Sequence, residues 1–147
     1  MKTANDPARI DCPSAQPNSD GVVFGVVTGT GTGQRIGYLT QAQPVTEEIL
    51  AMTAPADPAQ VFRVAAPCMG DGCKHFAGGA CSLVQRIVAS FDPVVSGLPP
   101  CRIRATCRWF HQEGRDACLR CPQVVTDSYD GTELQRQVAD PDAVRQA

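Results

Sequence analysis

Apolar and polar positions near the start of the chain alternate in a way that predicts two neighbouring β-strands. A β-branched run occupies residues 21–27, and a second short apolar run follows at residues 35–39. Threonine and glycine alternate over residues 28–33, between the two runs. β-Branched residues favour strands and clustered glycines favour a turn, so we predict a β-hairpin. The alternative is a phosphate-binding loop, but no Gly-Lys-Ser/Thr follows the glycines and residues 34–38 do not resemble a helix start.

Three later segments carry helical signals. Thr46 is an N-cap candidate before two acidic residues, and Asp57 is another before Pro58, with a helix expected over residues 58–65. A third helix is expected after Cys81, where apolar residues recur at helical spacing as far as Phe91. We expect the first two helices to pack on the hairpin. Their core residues would be Ile49, Leu50, Val61, Phe62 and Val64.

The pattern as a whole predicts an α+β fold, in which a small β-hairpin or sheet and short helices pack beside a loop-rich region. Residues 1–20 are rich in Pro, Ser, Asn and Asp without periodicity, and residues 127–147 are polar. We predict a flexible arm and a polar tail for these two segments. A single domain over residues 21–126 would lie between them, which suits a chain of 147 residues. Arg102 to Phe110 is compatible with a strand or an irregular segment.

Cysteine is the unusual component, because seven of the eight cysteines and both histidines lie in the region 68–122. They form two groups. The first is Cys68-x4-Cys73-x-His75-x5-Cys81, and the second is Cys101-x5-Cys107-x3-His111-x6-Cys118-x2-Cys121. Thiolates at short intervals favour zinc or iron–sulfur clusters, since several sulfurs can converge on one point. The region is therefore a predicted metal-binding region.

The spacing favours a 4Fe–4S cluster over zinc. Zinc sites of this kind normally have two Cys-x2-Cys pairs, and Cys118 and Cys121 form the only such pair in the sequence. Irregular spacing suits a cube, because its four corners can be approached from separate loops. Phe76, Trp109 and Phe110 lie close to cysteines in the sequence and are candidates for shielding a cluster from water.

The second group supplies a complete ligand set, namely Cys101, Cys107, Cys118 and Cys121. The first group has three cysteines, Cys68, Cys73 and Cys81, so its fourth ligand would be His75, Cys12 or an external molecule. One or two clusters are therefore expected. In another arrangement, both groups interleave around a single cluster and the remaining cysteines are buried bystanders.

The second group is locally basic, with five arginines against Glu113 and Asp116. Positive side chains near a thiolate site offset its negative charge and can hydrogen-bond to sulfur. They can also dock a negatively charged partner. Nucleic-acid binding is a weaker prediction, because the whole chain has a net charge of −2 and a pI near 5.6. The arginines expected to tune the cofactor or dock a partner are Arg102, Arg104, Arg108 and Arg120.

The sequence favours an iron–sulfur protein that acts in electron transfer or redox sensing through a protein partner. It has no signal-peptide core and no membrane-spanning run, so we expect a cytoplasmic protein whose cysteines bind metal rather than form disulfides. It also lacks a hydrolase motif, and an enzyme is the less favoured interpretation. Two alternatives are a structural zinc module that presents a protein- or nucleic-acid-binding surface, and a maturation scaffold that passes metal or a cluster onward.

Overall fold

A four-stranded antiparallel sheet forms the frame of the molecule. The computed structural model describes residues 10–17, 20–29, 33–126 and 131–141. The strand order in the sheet is β1-β4-β2-β3, and a small second sheet pairs β5 with β6. The strands are β1 (Asp11–Ala15), β2 (Val22–Thr28), β3 (Arg35–Pro44), β4 (Phe62–Pro67), β5 (Phe76–Ala77) and β6 (Ala80–Cys81).

Short helices pack around the sheet, and three of them, α3 to α5, lie within the cysteine-rich region 68–122. The described helices are α1 (Glu47–Ala51), α2 (Pro58–Val61), α3 (Ser82–Ser90), α4 (Arg108–Glu113), α5 (Arg115–Arg120) and α6 (Glu133–Ala139). Together with the two antiparallel sheets they confirm the α+β class. In the parts of the chain that the structure describes, no helix is long and apolar enough to cross a membrane.

The predicted hairpin is confirmed by β2 and β3, which pair antiparallel along most of their length. Gly25 marks an irregularity in this pairing, since the register shifts between Val23 and Gly25. A Cβ atom at Gly25 would lie 2.4 Å from Cγ2 of Ile36, so only glycine allows the strands to approach at this point. Residues 30–32 of the predicted turn lie outside the described residues.

Both predicted N-caps are confirmed. Thr46 Oγ1 accepts a hydrogen bond from the backbone N–H of Ile49 at 3.2 Å, and Asp57 Oδ1 accepts one from Ala59 at 2.9 Å. The helix predicted over residues 58–65 is wrong beyond Val61, because residues 62–67 form β4. This strand lies between β1 and β2 and is buried on both faces, which suits its β-branched and small residues.

Two terminal stretches are ordered where the sequence predicted an arm and a tail. Residues 11–15 of the predicted arm form β1, which pairs antiparallel with β4. Residues 133–139 of the predicted tail form α6, whose Val138 is buried in the core. Residues 1–9 and 142–147, at the outer ends of these two segments, lie outside the described residues.

The segment over residues 102–110 is helical rather than a strand. It contains a 3-10 turn at Arg104–Thr106 and the start of α4. Trp109 in α4 is 1% exposed, and it packs in a core shared with Phe24 of β2 and with α3, α5 and α6. On the other face of the sheet, α1 and α2 cover a second core, as the sequence predicted. That core contains Val23, Val45, Phe62 and Val64, with Ile49, Leu50 and Val61 packed against it.

Candidate metal centres

Four cysteines from separate short elements surround one small cavity beneath the sheet. Cys101 follows two prolines, Cys107 is the N-cap of α4, Cys118 lies within α5, and Cys121 is the C-cap of α5. We call these four residues the Cys101 set. The cavity has a volume of about 20 Å³, more than a single water molecule needs, and its remaining walls are largely aromatic and aliphatic. The structure therefore brings together the second group predicted from the sequence.

Burial raises the pKa values of three thiols in the Cys101 set. It raises the pKa of Cys107 to about 12, against the opposing effect of the backbone N–H groups of Phe110 and Trp109. Burial also raises the pKa of Cys101, where the N–H of Ile103 acts in the opposite direction, and that of Cys118, where Arg104 does so. Because a metal ligand must be a thiolate, these sulfurs need a strongly bound cation or cluster to give up their protons.

Arg63 is the charged residue most closely tied to this set, and the sequence analysis missed it. It lies in β4 with an exposed fraction of 0%. Its guanidinium donates to the Cys121 sulfur at 3.2 Å, and to the carbonyl oxygens of Pro13, Cys121 and Val124 at 2.8–3.0 Å. The rings of Phe24 and Trp109 stack on either side of it at 5.3 and 5.4 Å. Arg63 is thus a fixed, buried positive charge in contact with a candidate ligand.

Tyr38 of β3 is a second polar residue at this cavity. Its pKa is raised by burial and by Cys121, which is both a charged neighbour and a hydrogen-bond partner. The raised pKa keeps the phenol protonated, so its O–H can donate to sulfur. Neither Tyr38 nor Arg63 belongs to the cysteine-rich stretch of sequence. Both residues lie on strands of the four-stranded sheet, which places them at the cavity.

The four arginines predicted to act at the site are placed differently from one another. Arg104 lines the cavity and interacts with Cys118. Its guanidinium lies over the Phe110 ring and donates to the carbonyl of Pro99. Arg108 lies over the ring of Phe76 at 5.5 Å. The other two bind backbone carbonyls, Arg102 that of Thr40 at 2.6 Å and Arg120 that of Phe91 at 2.7 Å.

The remaining four cysteines lie along one larger groove. Cys12 lies on β1, Cys68 just after β4, Cys73 after a 3-10 turn at Gly70–Gly72, and Cys81 at the N-cap of α3. We call them the Cys12 set. All four line a groove of about 880 Å³, and the Cys12 thiol interacts electrostatically with the other three. Cys12 therefore joins the first group, an alternative that the sequence left open.

The two histidines are engaged by neighbouring groups. His75 Nδ1 lies 2.8 Å from an Nη atom of Arg86, which is itself 5% exposed. Burial, together with the charges of Arg86 and Lys74, lowers the pKa of His75 to about 4, so the ring is neutral near pH 7. His111 Nε2 lies 2.6 Å from the carbonyl oxygen of Ala105 and donates to it. Because the contact with Arg86 occupies Nδ1 of His75, only Nε2 is left to act as a metal ligand.

A single-ion site is not preformed at either set. Within the described ranges, no group of three or more Cys, His, Asp or Glu side chains is arranged to hold one metal ion. No family model, curated protein or solved structure matches the chain. Any function must therefore be argued from the geometry of the two cysteine sets.

Three buried nitrogens near these sets provide an independent observation. Nε of Arg104, Nε of Arg108 and Nε1 of Trp109 have no hydrogen-bond partner among the residues that the structure describes. Trp109 lines both the cavity and the groove, whereas Arg104 lines the cavity and Arg108 the groove. Buried donors without acceptors are costly, and they concentrate here beside the sulfurs. An acceptor bound between the cysteines would satisfy them.

Proposed function

We propose that this protein is an iron–sulfur protein that carries a 4Fe–4S cluster on the Cys101 set and transfers electrons to or from a protein partner. The observation that carries the proposal is that four cysteines line one apolar cavity, with a fully buried arginine donating to one of the sulfurs. Four thiolates are the ligands that such a cluster uses.

The arrangement of the cysteines supports a cluster over a single zinc ion. In a tetrahedral zinc site each sulfur lies about 2.3 Å from the metal, so the four sulfurs nearly touch one another. Among the described residues, no group of three or more Cys, His, Asp or Glu side chains is arranged to hold one ion, although the four cysteines of the Cys101 set line one cavity. A cube contains its own sulfides and so holds its ligands further apart, and its sulfides would accept hydrogen bonds from buried donors such as Trp109 Nε1 and Arg104 Nε.

Charge also supports the proposal. A cluster with four thiolate ligands carries net negative charge, which is unfavourable in an apolar cavity without a compensating cation. Arg63 supplies that cation, and Tyr38 supplies a neutral O–H donor. Both features stabilise the reduced form, which carries one more negative charge, and so raise the reduction potential.

Four protein ligands suit electron transfer better than catalysis at the metal. With a cysteine at each corner, no coordination position is left for a substrate. Electrons can enter and leave without a substrate pocket, so the partner is expected to be a protein redox or regulatory partner. A reducing compartment such as the cytoplasm keeps free thiols available for cluster assembly.

The test is anaerobic purification, followed by iron, zinc and acid-labile sulfide analysis and a visible spectrum on the same sample. We expect brown protein whose absorbance bleaches on reduction, and loss of the Cys101-set cluster in Cys118→Ser. Met52→Ala, which changes a side chain that is 77% exposed, serves as the preparation control. Colourless protein with stoichiometric zinc would overturn the proposal in favour of a structural zinc module.

A scaffold that passes a cluster onward is the second candidate. The observation that favours it is the difference in size, since the Cys12 set lines a groove of about 880 Å³ and the Cys101 set lines a cavity of about 20 Å³. A scaffold would lose metal from the Cys12 set to an apo-acceptor protein faster than from the Cys101 set. Equal rates of metal loss, measured by labelled iron exchange, would count against it.

A further inference from the structure

We propose that Cys12, Cys68, Cys73 and Cys81 form a second iron–sulfur site, with Cys12 as its fourth ligand, close enough to the Cys101 set for the two clusters to interact. For the kind of metal, this proposal rests on the proposed function. It goes further in assigning a ligand from a strand at the edge of the sheet and in making the protein a two-cluster carrier.

Strand pairing places Cys12 beside the first cysteine group. Cys12 lies opposite Ala66 in the antiparallel ladder between β1 and β4, and the backbone N–H of Cys68 donates to the carbonyl of Ile10 at 2.9 Å. Residues opposite each other project from the same face of a sheet, and so do residues two positions apart. Cys12 and Cys68 are therefore neighbours on one face, although 56 positions separate them in the sequence.

A tight turn between β5 and β6 brings the chain back towards the other cysteines of the Cys12 set. Gly78 and Gly79 both have positive φ, at 63° and 80°, and connect β5 to β6. Two successive residues with positive φ form the turn that matches the twist of a hairpin. Phe76 consequently lies opposite Cys81, and the carbonyl of His75 accepts the backbone N–H of Ser82 at 2.6 Å. This hairpin brings Cys81 back towards Cys73.

Each sulfur of the Cys12 set faces a backbone N–H two residues further along the chain. Gly70 N lies 3.5 Å from the Cys68 sulfur, and His75 N lies 3.5 Å from the Cys73 sulfur. Ser14 N–H acts on Cys12 in the same way, and Leu83 N–H acts on Cys81. A thiol accepts hydrogen bonds weakly, whereas a metal-bound thiolate accepts them well. The repeated arrangement is therefore typical of ligands.

The surroundings suit an anionic cluster. The cations Lys74 and Arg108 line the groove, and the Cys81 sulfur also interacts electrostatically with Arg86. Arg108 Nε is one of the buried donors that have no partner in the described part of the chain. A cluster sulfide would accept a hydrogen bond from it.

The two sets are separated by very little protein. Cys12 is bonded to Pro13, which lines the cavity of the Cys101 set. The Pro13 carbonyl accepts from Arg63 Nε at 3.0 Å, and the same guanidinium donates to the Cys121 sulfur at 3.2 Å. One hydrogen-bonded path thus runs from Cys12 to Cys121, and Trp109 borders both sets. An electron delivered by a reduced protein donor could pass between clusters without any bond being made or broken.

The experiment combines iron and sulfide analysis with electron paramagnetic resonance of the dithionite-reduced protein. We expect about eight irons and eight sulfides in the wild type and about four of each in Cys12→Ser. The wild-type spectrum should show broadening from spin interaction between two clusters, and Cys12→Ser should show one simple signal. Met52→Ala is the control, because Met52 is 77% exposed and lines neither the cavity nor the groove. It should keep about eight irons.

The outcomes separate the two proposals. About four irons in both the wild type and Cys12→Ser would overturn the second site and leave the Cys101 cluster standing. An unchanged iron content of about eight in Cys12→Ser would overturn the assignment of Cys12. No iron in the wild type would overturn both proposals. Should Cys12→Ser fail to fold, Cys73→Ser, next to the short turn at Gly70–Gly72, tests the second site without altering the sheet: about eight irons in this variant would overturn the site.

Discussion

Arg63 shows how one residue can indicate the charge state of its surroundings. A fully buried guanidinium is costly unless an anion or several acceptors compensate it. Burial alone would lower its pKa, but Cys121, Tyr38 and Cys107 in their charged forms raise it. Three carbonyls satisfy its donors, yet they carry no net charge. The compensating negative charge is therefore expected to come from the sulfur ligands.

Replacing Arg63 with methionine should lower the reduction potential of the Cys101 cluster. A unit charge about 6 Å from the cluster contributes about 3 kcal/mol at an effective dielectric constant near 20, on the order of 100 mV for one electron. The charge favours the reduced cluster, so its removal makes reduction harder. A redox titration followed by visible absorbance measures the shift.

Arg63→Lys is the matched control for that measurement, because it keeps the charge and loses the planar fork. Its potential should stay much closer to that of the wild type. Tyr38→Phe removes one neutral donor near Cys121 without removing a charge, and should lower the potential by less than Arg63→Met does. Equal potentials in the wild type and a folded Arg63→Met protein would contradict this role.

Arg63 and Tyr38, which were not predicted from the sequence, differ in how clearly the sequence indicates their role. Arg63 is the single charged position in a run of apolar residues, and a charge inside a buried strand indicates a specific partner. The charge of Arg63 indicates such a partner only if residues 62–67 are a strand and not the end of a helix. Tyr38 gave no such signal, because a tyrosine in a hairpin is ordinary. The grouping of Cys101, Cys107, Cys118 and Cys121 was predictable because their spacing is local, whereas Cys12 reaches its neighbours only through distant strand pairing.

At the scale of secondary-structure elements, strand β1 connects the two cysteine sets. Asp11 is 4% exposed, and its Oδ2 accepts from Thr106 Oγ1 at 2.6 Å. Asp11 precedes Cys12 in the sequence, and Thr106 precedes Cys107. An isolated parallel bridge between Asp11 and Cys107 reinforces the connection. This contact therefore holds one cysteine of each set in a fixed relation.

Thr106→Val should destabilise the protein by about 1–3 kcal/mol, because a buried carboxylate loses a hydroxyl donor while the side-chain shape is nearly conserved. Thr106→Ser keeps the hydroxyl and is the control. Thermal melting of the iron-loaded proteins under anaerobic conditions measures the difference. Equal melting temperatures for the valine and serine variants would show that the hydrogen bond has no net effect on stability.

Elements with local signals were predicted well, and those that depend on distant pairing were not. The hairpin, both N-caps and the helix after Cys81 depend on residues within a few positions of one another. Strand β1 has a polar sequence that contains Pro13, which is tolerated because β1 lies at the edge of the sheet. Its partner β4 lies about fifty residues away, beyond the reach of any local pattern.

For the whole molecule, α4 is the structural link between the two cysteine sets. It begins immediately after Cys107 and contains Trp109, which borders both sets. Near its end, Gln112 accepts from the backbone N–H of Cys81 at 2.8 Å and donates to the carbonyl of Cys81 at 2.9 Å. Through these two bonds, the position of Cys81 in the Cys12 set depends on a helix whose N-cap, Cys107, belongs to the Cys101 set.

Loss of metal should therefore be asymmetric. Cys118→Ser should release iron from the Cys101 set and also weaken the Cys12 set, because metal binding and folding share one free energy and α4 would lose its anchor. Cys73→Ser, at the groove, should release only the iron of its own set. Gln112→Leu should weaken the Cys12 set alone, since it removes both bonds to Cys81. Iron content and near-ultraviolet circular dichroism measure all three. A loss of about four irons in both cysteine variants, with equal melting temperatures, would show that the two sites fold independently.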